Sequence, residues 1–197
     1  MGRPVKEKSL TQQDVINAAI ACLDREGEAA LGVNRVAREL GIKPPAIYKH
    51  LDGNLALRRA VALTIWQQYI EWSRQQTNGL EDPQALLRAG GRATRDFARS
   101  YPNRYRVMTQ FQLNLQDPET SPLIQEVFRF LKRVLQSYNL SETKLIDAMR
   151  MVNAAITGFI AIEQAGLMTL ERSTDASYEV MIDALVVAIQ HIQKVDS

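Results

Sequence analysis

Apolar side chains recur at i, i+3, i+4, i+7 along nearly the whole chain, and alternation of period two is scarce, so the sequence reads as all-α. Between Thr11 and about Arg25, the residues Ile16, Ala19, Ile20 and Leu23 make one apolar stripe, which Gly27 ends. Val33, Val36, Ala37 and Leu40 repeat that spacing over only eight residues before Gly41 breaks it. Pro44-Pro45 then opens a third short helix, to about Leu51, because proline's fixed φ suits a first turn and its missing N–H has no partner to lose there. Asp52-Gly53-Asn54 is a turn sequence. Three short helices with a glycine turn between the second and third make a helix-turn-helix available on spacing alone.

A fourth helix, about 55–75, is long enough to lead from this small module into the rest. Asn78-Gly79 and Asp82-Pro83 are the strongest punctuation in the chain. Further helices are expected at about 84–99, 103–115, 122–138, 142–168 and 176–193, each bounded by a capping residue or a proline. The organisation expected is a flexible basic arm at 1–9, a helix-turn-helix domain at 10–56, and a helical bundle at 57–197 for ligand binding and dimerisation, about nine helices in all.

Composition excludes several classes. With 46% hydrophobic and 23% charged residues the chain reads as an ordinary globular protein. Its longest apolar run, Ala154 to Ile162, is nine residues, too short to span a bilayer, and the polar, basic N-terminal stretch is no signal sequence, so a cytoplasmic protein without a membrane partner is expected. Cys22 is the only cysteine and His50 and His191 the only histidines, which leaves no disulfide framework, no ordinary metal site and no cofactor to expect. Neither a phosphate-cradling glycine loop nor a HExxH pattern is present, and Asp147, Glu163 and Asp183 read as solvated helix faces, so the chain is not expected to be an enzyme. Residues 1–59 carry ten Lys/Arg against seven Asp/Glu while the remainder carries fourteen against fifteen, which places the positive charge at the front. The rival reading is a helical small-molecule-binding or adaptor protein without DNA activity.

A helix-turn-helix packs its first two helices so that the third lays its outer face in a major groove. The segment Val36-Ala37-Arg38-Glu39-Leu40-Gly41-Ile42-Lys43-Pro44-Pro45-Ala46-Ile47-Tyr48-Lys49-His50-Leu51 resembles the signature of the TetR, or tetracycline-repressor-like, family. That resemblance implies a ligand-responsive repressor acting as a homodimer on a palindromic operator in double-stranded DNA. It implies that Tyr48 and His50 meet the phosphate backbone and that Lys43, Pro44, Pro45, Ala46 and Lys49 face base edges. Thr11 could offer its hydroxyl and nearby N–H groups to a phosphate, and Arg3 in the arm could enter a minor groove. Three positions depart from the family pattern: Gly32 replaces a Ser or Thr helix cap, Asn34 with Arg35 adjacent replaces a base-reading Arg, and Asn54 replaces a phosphate-pairing Lys.

In the last helix Tyr178, Met181, Ile182, Leu185, Ile189 and Ile192, widened by Val186 and Val187, make a broad apolar surface. In the helix before it Ala154, Gly158, Ala161 and Ala165 make a stripe of small residues where a second backbone can approach. Two such helices from each of two subunits would form a four-helix dimer interface. The stretches Tyr101 to Met108 and Thr157 to Ile160 resemble a C-terminal subfamily named for a Trp-His-Gly motif, with Thr157 in the place of its histidine. A cavity for an unknown small-molecule effector is expected among Trp66, Met108, Phe111, Phe128, Met149, Val152, Ile156 and Phe159. Gly90-Gly91 inside a helical pattern marks either a bend beside that cavity or a close helix crossing.

Overall fold

A computed structural model describes residues 9–194, so Arg3 and the arm of residues 1–8 lie outside the described residues. Those described form α1 (Gln12–Glu26), α2 (Val33–Glu39), α3 (Pro44–Tyr48), α4 (Gly53–Gln76), α5 (Pro83–Ser100), α6 (Pro102–Gln110), α7 (Ser121–Leu135), α8 (Glu142–Gln164) and α9 (Thr174–Lys194), with 3-10 turns at Glu28–Ala30 and Gln136–Tyr138. No strand occurs among them. The elements group into two compact units, one holding the chain through Trp66 together with Asn103–Gln112, the other Gln67–Pro102 and everything from Leu113 onward.

In the first unit Val15, Ala19, Cys22 and Leu23 of α1, Val33, Val36 and Ala37 of α2, Ile47 of α3 and Leu57, Val61 and Ile65 of α4 are buried together. Burial pushes the Cys22 thiol up. Thr11 and Asp14 start α1 with a reciprocal capping box, each side chain bonded to the other's backbone N–H. Sequence order places α6 with the C-terminal bundle, but it packs with this unit. Asn103 donates to the Leu23 carbonyl at the end of α1, 3.1 Å away, and Arg104 holds Asp24 at 2.9 and 2.6 Å. Helix α6 ends at Gln110, short of the expected 115, and beyond it the Thr120 hydroxyl bonds Asn114 at both backbone groups.

The second unit is built on α5, whose arginines at 88, 92, 95 and 99 share one side and meet acids on α8 and α9. Arg88 pairs with Asp183 at 2.9 Å, Arg92 with Glu179 at 2.5 Å, and Arg99 with Asp175 at 2.7 Å, so α9 runs antiparallel to α5 along a ladder of ion pairs. Arg95 is 5% exposed, clasps Glu163 of α8 at 2.6 Å, and lies 4.6 Å over the Tyr178 ring and 5.3 Å over Phe159. Glu163 is therefore a largely buried ion-pair partner and not the solvated face expected, whereas Asp183, though paired with Arg88, keeps its side chain 62% exposed; the arginines that hold them stand 68 and 95 residues away in sequence.

Helix α8 is long and apolar enough, by length and composition alone, to cross a bilayer, although no single run within it reaches that length. Polar but uncharged Asn153 and Thr157 interrupt the run without ending the apolar character. Its buried Ala148, Met149, Val152, Ile156 and Ile160 face the core of the second unit, while Ile146, Ala154, Ala161 and Ile162 are exposed, so its apolar character exceeds what that core takes up.

Candidate DNA-binding surface and ligand cavity

Helix α2 closes with a Schellman motif: Ile42 N–H donates to the Ala37 carbonyl at 3.0 Å and Gly41 N–H to the Arg38 carbonyl at 3.2 Å. Gly41 adopts φ +66°, the left-handed region glycine enters without strain, and the chain turns sharply into α3. Pro44 and Pro45 open α3 without leaving an N–H to satisfy, while Ile47 and Leu51 are buried and aim the helix. Lys43, Pro45, Tyr48 and Lys49 are thereby exposed, and Pro44, Ala46 and His50 are half-buried beside them. Tyr48 is 55% exposed, and neither lysine makes an ion pair among the described residues. Two uncompensated ammonium groups, a phenol and flat apolar proline surface on one outward helix suit phosphate oxygens, base acceptors and thymine methyls.

The flanking residues divide. Asn34 and Arg38 are exposed on α2, and Arg38 has no carboxylate partner among the described residues, so it adds a cation that the sequence reading missed. Arg35 is withdrawn from base reading: Glu26 and Glu39 hold its guanidinium, the latter at 3.0 Å, and these bonds raise its pKa. It ties α2 to α1. The Thr11 hydroxyl is likewise committed, donating to Asp14 at 2.6 Å and accepting from the Asp14 N–H, and the Asp14 carboxylate disfavours a phosphate there. Asn54 supplies what Gly32 lacks, since its Oδ1 accepts the Val33 N–H at 2.8 Å and caps α2 from the start of α4. Arg58, the nearest substitute for the missing lysine, is engaged by Glu28 at 2.8 Å.

A cavity of about 240 Å³ opens in the second unit among α4, α5, α7 and α8. Of the eight residues expected around an effector, Val152 and Ile156 line it. Trp66, Met108 and Phe111 belong to the first unit, where Arg59 sits 5.9 Å over the Phe111 ring. Phe128 is 48% exposed on the outside of α7, Met149 is buried away from the lining, and Phe159 is spent on Tyr178 and Arg95. Tyr69, Ser73, Thr94, Asn153 and the arginines of α4 and α7 line it without having been singled out, because polar residues on amphipathic helices carry no signal of which way a cavity lies. Gly90 and Gly91 satisfy both sequence alternatives. They line the cavity, and a Cβ on them would meet Phe130 at 2.8 Å and Ile182 at 2.6 Å, so they also permit a close crossing.

On α8, Ala154, Ala161 and Ala165 are exposed and Gly158 has open space beside it, so the stripe of small residues is free. On α9 the sequence choice is corrected: Tyr178, Ile182, Leu185, Val186 and Ile189 are buried in the chain's own core and Met181 is half-buried. Of the residues expected there Val187 is free, and Val180 and Ala184, which were not expected, complete the exposed face, with the valines at 180 and 187 57% and 64% exposed. Stripes at the same period on two sides of one helix cannot be told apart by spacing, and the bulkier one went inside.

Comparison with known proteins adds independent findings. Residues 87–185 match the model of the family described as tetracyclin repressor-like, C-terminal domain. An uncharacterized HTH-type transcriptional regulator of Mycobacterium tuberculosis, Rv0681, is 30% identical over 190 residues, 96% of this chain and 85% of that protein. The crystal structure of Mycobacterium smegmatis BioQ is similar with a TM-score of 0.68 at 25% identity, over 93% of this chain and 99% of that one. A TetR variant of Acinetobacter baumannii AYE, solved in complex with minocycline, shares the fold with a TM-score of 0.72 at 22% identity, over 93% of this chain and 98% of its own.

Proposed function

Because the chain belongs to the tetracycline-repressor-like (TetR) family of DNA-binding transcriptional regulators, we propose that it acts as a ligand-responsive repressor, a homodimer whose two reading heads occupy a palindromic operator. The observation that carries this reading is α3 itself: beyond the Gly41 turn it presents Lys43, Pro45, Tyr48 and Lys49 outward, with both cations uncompensated. In the proposed complex Tyr48 and His50 meet phosphates, Lys43 to Ala46 and Lys49 meet base edges, and Asn34 and Arg38 reach the backbone beside them. Repression is steric, since a dimer seated on a promoter excludes polymerase. The family is one of regulators and not of enzymes, and a protein that reads operator DNA works in the cytoplasm.

Dimerisation uses the exposed small residues of α8 and the Val180, Ala184 and Val187 face of α9. The effector enters the cavity of the second unit. Helix α4 contributes residues to both units, so a ligand that prefers one setting of α4 shifts head spacing by differential affinity. Equal head separation in DNA-bound and ligand-bound dimers would refute that step.

A footprint of the purified protein on the promoter adjoining its own gene tests the whole reading. Two protected half-sites about one helical turn apart, about 34–36 Å, are expected. Binding should weaken steeply with salt, through counterion release. Protection of a single unpaired site, or no salt-sensitive specific binding, refutes it.

A further inference from the structure

We propose that the effector is a small monocarboxylate, a single ring or short aliphatic chain seated against the apolar wall of the second unit's cavity with its carboxylate on Arg133. The inference rests on reading this cavity as the effector site. Size sets the first limit. At about 240 Å³ the cavity falls below the range of about 300–1,000 Å³ usual for drug-sized ligands, and it exceeds the roughly 150 Å³ that admits benzene. Leu87, Gly90, Gly91, Val152 and Ile156 form a buried wall with no charge, which fits a hydrocarbon body.

The charged side chains lie on α4 and α7. Arg74 holds Glu71 at 2.8 Å and Glu126 at 3.0 Å, and Arg129 also pairs with Glu126. Arg133 has no carboxylate partner among the described residues; its guanidinium lies 5.9 Å from the Phe130 ring centroid. Three arginines thus face two carboxylates, and the surplus charge is Arg133. Arg129 and Arg133 are exposed, so this is the open end of the cavity, where an anionic head keeps part of its hydration while its body is buried. A planar guanidinium with no hydrogen-bond acceptor among the described residues seats a carboxylate through two parallel bonds, whereas a cationic head would be repelled. Inside, the Ser73 Oγ is buried with no hydrogen-bond partner, a further group for a polar ligand atom to satisfy.

The test is calorimetric titration of the full-length protein with 4-phenylbutanoate, octanoate, 4-phenylbutanamide and 4-phenylbutylamine near pH 7.5, followed by a mobility shift on operator DNA with the same compounds. At least one carboxylate should bind about tenfold more tightly than the amide, and the amine should bind weakest. Arg133→Gln should remove that preference while leaving amide affinity unchanged, and Arg133→Lys should retain much of it. Amide or amine binding as tight as the carboxylates, no binding by either carboxylate, or full carboxylate affinity in Arg133→Gln overturns the proposal. Carboxylate binding that depends on Arg133 but leaves DNA affinity unchanged would instead sink the effector reading and leave the ligand class standing. DNA release by the amide would do the reverse.

Discussion

Asn54 stands 21 residues along the chain from the amide it satisfies, and its role could not be read from either position alone. Gly32 has φ −146° and ψ 144°, an extended conformation open to any residue, and a Cβ there would meet Asn54 Oδ1 at an ordinary 3.8 Å. The two departures from the family pattern are thus one exchange, a local helix cap traded for a remote one. Asn54→Ala should destabilise the protein by about 1 kcal/mol, the usual cost of a lost cap, in chemical denaturation. Adding Gly32→Ser should restore most of that, since a hydroxyl at the N-cap reaches the next turn's N–H groups; equal losses in the single and double variants would refute the exchange. Tyr48 makes the complementary residue-scale prediction. At 55% exposure it contributes little to the core, so Tyr48→Ala should leave unfolding within about 0.5 kcal/mol of the parent while weakening operator binding across sequences, as a phosphate contact does.

Among the elements, the α5 ladder carries the clearest electrostatic consequence. Arg95 and Arg99 hold the Glu163 carboxyl down at about 2, against an ordinary value of 4.5. A depressed carboxylate stabilises the fold above its unfolded pKa, and that contribution is lost as pH falls through the folded one, so the loss falls between about pH 4.5 and 2. Glu163→Gln should cost about 3 kcal/mol at neutral pH, toward the lower end for a broken buried pair because Asp175 remains 3.0 Å from Arg95. Urea midpoints measured from pH 7 to 2 should then fall less steeply for the variant than for the parent; parallel profiles would remove Glu163 from the account. Where α5 crosses its neighbours, Gly91→Ala should cost about 1–3 kcal/mol by overpacking against Ile182. Helices α2 and α3 were legible in the sequence because their signals are local: a periodic stripe, a glycine, two prolines. The allegiance of α6 and the Arg–acid ladder were not, since the Asn103 bond to Leu23 spans 80 residues and the Arg88 bond to Asp183 spans 95. The inward residues of α3 announced the outward ones, whereas the cavity's polar lining and the free face of α9 depend on which neighbour each helix meets.

At the scale of the whole molecule, the free faces of α8 and α9 set the last prediction. Ala161 is exposed in a stripe of small residues, and Val187 is 64% exposed on a helix whose bulkier stripe is already buried. Neither touches the core, so Ala161→Arg and Val187→Arg should leave the helical content of the chain as it is. Across a two-fold interface each change is made twice and faces itself or its close neighbours, so a like-charge pair is desolvated where two small residues met. Sedimentation should then show a monomer at micromolar concentrations where the parent is a dimer, and the parent's Tm alone should rise with protein concentration. Operator affinity should fall with dimerisation, because the second head loses the effective concentration that its tether supplies, a factor on the order of 10² or more. A single half-site should bind parent and variant heads alike, since α3 is unchanged. An arginine variant that stays dimeric, or a monomer that keeps full operator affinity, would move the interface elsewhere or remove the need for it.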